Sequence, residues 1–238
     1  MQVVFDHHHD EANNITSFFF RPTKPFTYTA GQFIELHIDH NNPDNRGQKR
    51  WFTLSSSPTD ELLSITTRII PKSVGKRSTF KNALRKLQPG DLLTMSEPMG
   101  DFVLPKLIQT PLVFVAGGIG ITPYHSILSW LAATNEKRPI SLIYGVGSED
   151  EIIFQDTFDK AHQHVTMVVK SPSSAWGGER GVLTPELIMG LAQPSEDALI
   201  YVSGPEPMVE TLEKGLKKQG VSSQHLVLDF FPNYSSNY

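Results

Sequence analysis

Two short stretches hold residue types whose spacing could do chemistry. The first is GGIGITP, residues 117–123, directly after the apolar run PLVFVA (Pro111 to Ala116). A buried strand that runs into glycines lets a pyrophosphate come close to the backbone, and a helix starting beneath it offers unpaired N–H groups to the anion. The dinucleotide fingerprint G-x-G-x-x-G asks for a third glycine where this chain has Pro123. Proline is suited to the first turn of a helix, so Pro123 reads as a helix start that Thr122 precedes. The same residues also fit a strand-to-helix turn with no ligand.

The second stretch is RWFTLSSSP (Arg50 to Pro58). On a strand, Arg50 and Phe52 share one face and Thr53 turns to the other. Arginine offers phosphate a planar fork of donors, an aromatic ring offers a stacking surface, and a hydroxyl can bond a heteroatom. An edge strand with a solvated arginine is the other reading of these residues. A third stretch, DHHHDE (Asp6 to Glu11), has metal-ligand residue types. Three consecutive histidines on a strand cannot converge on one ion, so a solvated turn is expected and no metal site. No G-x-S-x-G nucleophile elbow occurs.

The elements that must position these residues change in texture along the chain. The first hundred residues hold NITSFFFRP, QFIELHI, RWFTLSS, LLSITTRII and DLLTMSEP, separated by Pro, Gly, Asn and Asp, which predicts an antiparallel barrel or sandwich. Phe80, Ala83, Leu84 and Leu87 fall at helical spacing, with Ser78 or Thr79 placed to cap. After Pro105, apolar strands alternate with helix-length segments: PLVFVA, YHSILSWLAATN, ISLIYGV, QDTFDKAHQH, VTMVVK, then ALIYVSGP into EPMVETLEKGLKKQG. That alternation predicts a parallel sheet. The last of these helices opens with glutamates, closes with lysines and has Gly220 placed to cap it. A domain boundary is expected near Leu104 to Ile108.

Composition narrows the function. With no cysteine among 238 residues, disulfides, thiolate zinc sites and a cysteine-held iron–sulfur cluster are excluded from this chain, so any redox role needs a borrowed cofactor. There is no run of 18 apolar residues, and the first residues are acidic and His-rich. Neither a membrane span nor a signal peptide is expected, and the location expected is cytoplasmic. A net charge of -4 argues against a nucleic-acid partner.

Taken in order, these stretches resemble the ferredoxin–NADP reductase superfamily. RWFTLSS is similar to its R-x-[YF]-[ST] flavin motif, with GQF (Gly31 to Phe33) before it. GKRST (Gly75 to Thr79) is similar to the pyrophosphate loop, and GDLLTMSEPMGDF to the end of the flavin barrel. GGIGITP, YGVGSEDEIIF, VSGPEPMV and DFFPNY follow as the nicotinamide-side turn, the second strand with its loop, the C/S-G-P motif and the aromatic terminus.

The resemblance implies two domains: an antiparallel FAD-binding β-barrel over residues 1–106, then a parallel-sheet NAD(P)-binding α/β domain over 107–238 with a flavin-covering aromatic segment. It implies that Arg50 binds flavin phosphate, Phe52 lies against the ring system or ribityl chain, and Thr53 approaches flavin N5. Thr66, Thr67, Arg68 and Ile69 would meet the flavin, and Gly75, Lys76, Arg77, Ser78 and Thr79 would cradle its pyrophosphate. Gly118, Gly120, Thr122 and Pro123 would face NADH or NADPH, with Ser203, Gly204 and Pro205 opposite. The catalytic residues implied are Thr53, Ser203 and Phe231; Phe231 would shield the flavin. Ser203 stands where many relatives have cysteine, and Asp229 where they frequently have glutamate. The acidic run Glu149 to Glu151 favours NADH, while Lys170 and Arg180 could hold the 2′-phosphate of NADPH.

The implied activity is an NAD(P)H-dependent flavoprotein reductase: hydride passes from NAD(P)H to flavin N5, and electrons go on to an acceptor. Because no globin or iron–sulfur module is fused here, the acceptor is expected to be a separate ferredoxin or flavodoxin, or a small molecule. Arg68, Lys72, Lys76, Arg77, Lys81, Arg85 and Lys86 have no acid between Leu62 and Gly90, which reads as a docking face for an acidic carrier or as a solvated face with phosphate ligands. A free flavin reductase of diaphorase type, or a non-catalytic nucleotide-binding module, are the rival functions.

Overall fold

The computed structural model describes residues 1–69 and 78–231. Six antiparallel strands fill the first half: β1 (Gln2–Ala12), β2 (Ile15–Pro22), β3 (Phe33–His37), β4 (Lys49–Thr53), β5 (Leu63–Arg68) and β6 (Leu92–Met95). They pair in the order β4-β3-β6-β1-β2-β5. An antiparallel bridge from Leu54, just past β4, to Ile65 of β5 links the two edges. The sheet therefore curls toward a closed barrel, which removes its open edges. Alternation sets the inside: Ile34 and Leu36 of β3 point inward, and Phe5, Phe18 and Phe20 join them. The short helix α1 (Thr79–Leu84) fits Phe80 and Leu84, both fully buried, onto this core.

The run DHHHDE is strand, not the solvated turn expected from its polarity. It forms the exposed stretch of β1 and pairs with β2, with the His7 ring stacked on Phe19 at 4.4 Å. Cross-strand stacking of this kind supports a strand whose residue types alone point to a loop.

The second half alternates β7 (Leu112–Gly117), α2 (Thr122–Thr134), β8 (Ile140–Val146), α3 (Gln155–Lys160), β9 (Val165–Val169), β10 (Glu179–Arg180), α4 (Pro185–Ala192), β11 (Leu199–Pro205), α5 (Glu206–Lys218) and β12 (Leu226–Phe231). All strand pairs are parallel, in the order β10-β9-β8-β7-β11-β12. β7 is buried along its whole length. Its Leu112, Phe114 and Ala116 pack with α2 and α3, while Val113 and Val115 pack with α4 and α5. Two buried faces explain why this strand reads as an unbroken apolar run.

The chain leaves β7 for β8 on one side and later returns past β7 to β11 on the other. Between β7 and β11 the winding reverses, and in such sheets ligands bind beyond the carboxyl ends of the strands at that point. The two halves also share a core, since Ile15, Ala30 and Phe102 pack in the same cluster as Tyr124, Ile127 and Tyr201.

Candidate functional site

At the reversal point, β7 ends in a 3₁₀ turn, Gly118–Ile121, and α2 follows with Pro123 in its first turn. Register places Ser203 of β11 beside Ala116 of β7 and Asp229 of β12. The packing here is close: a Cβ on Gly120 would lie 2.2 Å from the Ser203 carbonyl oxygen. Only glycine permits that approach. The fully buried Ser203 hydroxyl donates to Asp229 Oδ2 at 3.1 Å. Burial pushes the Asp229 carboxyl up to about 6, opposed by that hydrogen bond and reinforced by Asp101. A cleft of about 300 Å³ opens over the strand ends, lined by Gly117, Gly145, Lys170, Gly181, Val182 and Met208 among others.

The barrel contributes a second corner. Arg50 projects from β4 and lies 5.2 Å over the ring of Phe80, which in turn packs on Phe52. Its Nη2 donates to Asp44 Oδ1 at 2.7 Å, and the N–H of Thr79, at the start of α1, donates to Asp44 Oδ2 at 3.2 Å. Ser78 caps that helix by accepting the N–H of Lys81. Desolvation holds the guanidinium of Arg50 below its ordinary value, helped by Arg46 and opposed by Asp44.

Hydrogen bonds tie the two corners together. Directly after β4, the carbonyl of Ser55 accepts from His125 Nδ1 at 2.5 Å and that of Ser56 from the Ser126 hydroxyl at 2.5 Å, both donors lying on α2 just past Pro123. Burial drops the His125 imidazole to about 4, so the ring is neutral and Nδ1 carries the donated proton. Behind these serines, buried hydroxyls chain from Ser17 to Thr66 at 2.7 Å, then to Ser55 at 2.9 Å and to Ser64 at 2.9 Å. At the strand end, Arg68 makes a two-pronged pair with Glu151 across the halves at 3.0 and 3.2 Å.

Residues 114–214 match the family model described as an oxidoreductase NAD-binding domain. The toluate 1,2-dioxygenase electron transfer component of Pseudomonas putida is 28% identical over 86% of this chain and 59% of its own length. Flavohemoprotein A of Dictyostelium discoideum is 24% identical over 97% of this chain and 60% of its own length. The chain thus spans about three-fifths of these curated relatives. Among solved structures, the FAD/NAD-binding domain of a Vibrio cholerae nitric oxide dioxygenase superposes with a TM-score of 0.80 at 22% identity, covering 97% of this chain and 98% of that one. A Neisseria gonorrhoeae ferredoxin NADP+ reductase with bound FAD and NADP reaches 0.78 at 19%, with coverage of 97% and 98%.

Residues 114–214 are thus an oxidoreductase NAD-binding domain, and the whole chain has the fold of ferredoxin reductase-like FAD/NAD-binding proteins. The expected site residues fall into three groups. Gly118, Gly120, Thr122, Pro123, Ser203, Gly204 and Pro205 gather at the reversal point. Arg50, Ser78 and Thr79 gather at the barrel corner, with Phe52 and Thr53 buried beside them. Thr66, Thr67 and Ile69 are buried on or just after β5, and the Arg68 side chain pairs with Glu151. Gly75, Lys76 and Arg77 lie outside the described residues, as do Lys72 and 232–238. Phe231 closes β12 opposite Pro205.

For several residues around this site the partner carries no signal in the sequence. Asp44, Glu151, His125 and Ser126 all bind across loops or across the two halves, and nothing in their local sequence marks those partners. The basic residues between Leu62 and Gly90 are also partly paired within the chain. Arg68 pairs with Glu151, Lys81 Nζ donates to the carbonyl of Arg68, and Arg85 lies 3.6 Å from Asp10.

Proposed function

We propose that the chain is an NAD(P)H-dependent flavoprotein reductase that binds FAD in the barrel and the nicotinamide nucleotide at the reversal point. One observation carries this most directly. The segment after β4 and the helix after GGIGITP are fastened to each other through Ser55–His125 and Ser56–Ser126, so the two nucleotide motifs meet across one seam. The residues present fit a flavin. Arg50 aims a charged fork at the start of α1, and its Nε is buried with no hydrogen-bond partner among the described residues, a donor that a phosphate oxygen would satisfy.

A flavin supplies the step from a two-electron donor to one-electron acceptors, and the protein supplies position and electrostatics. Arg50 and Thr79 hold the phosphate end. The buried hydroxyls of Thr53 and Ser203 present small polar groups near the seam, and Asp229 holds the Ser203 hydroxyl. The cleft over Gly117 and Gly145 takes the rest of the dinucleotide. Glu149 lies on the loop after β8, where its carboxylate accepts the N–H of Ser173, and an acid there favours a free ribose hydroxyl, hence NADH. Lys170 in the cleft wall is the cation that would serve NADPH instead.

The acceptor proposed is a separate electron-carrier protein such as ferredoxin or flavodoxin, in keeping with relatives named electron transfer components. Among the described residues no helix is long and apolar enough to cross a membrane. The test is direct: purified protein is mixed with FAD, desalted, and given NADH or NADPH without oxygen. Retained yellow flavin that bleaches, faster with NADH, is expected; a folded protein that retains no flavin would sink the proposal.

A further inference from the structure

The corner assigned to the flavin phosphate is held by a carboxylate of the chain itself. Asp44, in the loop between β3 and β4, accepts from Arg50 Nη2 at 2.7 Å and from the Thr79 N–H at 3.2 Å, and its own N–H donates to Thr79 Oγ1 at 2.9 Å. Oδ1 also accepts the Arg46 N–H at 3.0 Å. Arg50 is therefore engaged unevenly. Nη1 donates to the carbonyls of Arg46, Gly47 and Lys49 at 2.8, 3.0 and 2.6 Å, which fixes the plane of the guanidinium. Nη2 goes to Asp44, and the buried Nε has no hydrogen-bond partner among the described residues.

Nε and Nη2 form one edge of the guanidinium, the pair of parallel donors that an oxyanion takes together. Asp44 uses half of that edge. A phosphate, with oxygens in a tetrahedron and more negative charge, can take both donors and the Thr79 N–H as well. Two anions on one arginine repel each other, so the carboxylate and the phosphate compete for the position.

We propose that Asp44 is an internal stand-in for the flavin phosphate, holding Arg50 and the start of α1 until FAD displaces it. The proposal rests on the flavin reading above. The loop is suited to the exchange: Asn41, Asn42, Pro43, Asn45 and Arg46, the residues around Asp44, are exposed. Asp44 thereby lowers FAD affinity while keeping the guanidinium oriented, and makes flavin loading depend on the 39–48 loop.

The experiment titrates FAD into flavin-free wild type and Asp44→Asn, following quenching of flavin fluorescence, with riboflavin as the phosphate-free comparison. Asp44→Asn keeps the size of the side chain and loses its charge. The expected result is an FAD dissociation constant about five- to tenfold lower in the variant, with faster association and riboflavin affinity unchanged. Equal or weaker FAD binding overturns the proposal, because Asp44 then braces the loaded site. If neither folded protein binds FAD or riboflavin, the flavin reading fails and this inference fails with it. Asp44→Ser, too short to reach Arg50, serves the same comparison should Asp44→Asn not fold.

Discussion

At the barrel corner, Arg50, Asp44 and Thr79 meet through charged side chains and one helix N–H. At the reversal point of the parallel sheet, Gly120 meets Ser203 and Gly204, and Gly204 meets Gly117, through backbone contact, with the buried Ser203–Asp229 pair behind them. The first corner has partners that a ligand can exchange, because charge-assisted hydrogen bonds to an exposed loop can be handed to a phosphate. The second leaves no slack, because its geometry is set by strands that pack in van der Waals contact. Substitutions at the first should change ligand affinity more than folding; substitutions at the second should change folding first.

The largest effect is expected at Gly120. A methyl group there would sit 2.2 Å from the Ser203 carbonyl, so Gly120→Ala must push β11 away from the 3₁₀ turn. Denaturant unfolding should show a loss of about 3 kcal/mol or more. Gly177→Ala, where nothing lies within 4 Å, should change stability by less than about 0.5 kcal/mol. If both variants unfold alike, the reversal point is not the rigid member of the comparison.

Next comes Arg50→Ala, which removes the fork at the barrel corner. FAD titration should show affinity weakened on the order of 10- to 100-fold. Arg50→Lys should recover only part of it, since an ammonium keeps the charge and loses the paired donors. Thermal unfolding should move less than for Gly120→Ala. A stability loss as large as that of Gly120→Ala would erase the distinction between the corners.

The smallest effect concerns pH. The folded Asp229 carboxyl titrates near 6 against an ordinary 3.8, so the folded state binds the extra proton across that interval. Its contribution to stability is fully present below about 3.8 and is lost as pH rises through 6. His125 works in the opposite direction. Its ring falls to about 4 from 6.5, so its contribution is present above 6.5 and is lost as pH falls through 4. The two slopes oppose each other in wild type between pH 4 and 6. Unfolding of Asp229→Asn across this window should therefore show stability climbing more steeply with pH than in wild type. An unchanged slope would mean that Asp229 is solvated in solution.

Much of the fold is legible in the residue pattern. The alternation in QFIELHI and the unbroken run PLVFVA specify an exposed-and-buried strand and a doubly buried one, and both occur as β3 and β7. Pro123 and the glutamate-to-lysine polarity of residues 206–218 mark helix starts and ends by local electrostatics and fixed φ, and α2 and α5 follow them. The run DHHHDE misleads because its polarity is a loop signal, whereas its conformation is set by pairing with the phenylalanines of β2. The short helix α4 is hidden between turn residues, although Thr184 caps it and Pro185 opens it.

The sequence by itself determined the two textures, the places where each cofactor-sized motif begins, and, through the absence of cysteine, that any redox chemistry is borrowed. These follow from local rules: side-chain period, caps, glycine and proline geometry, and the chemistry of residue types. Only the tertiary structure decided that Asp44 faces Arg50, that Glu151 takes Arg68, that His125 and Ser126 fasten the two halves, and that Asp229 is buried against Ser203. Charges and hydroxyls carry no periodic signal that names a partner. Their pairing depends on which loops the closed barrel and the winding of the parallel sheet bring within hydrogen-bonding reach, and so does the shift of each titrating group.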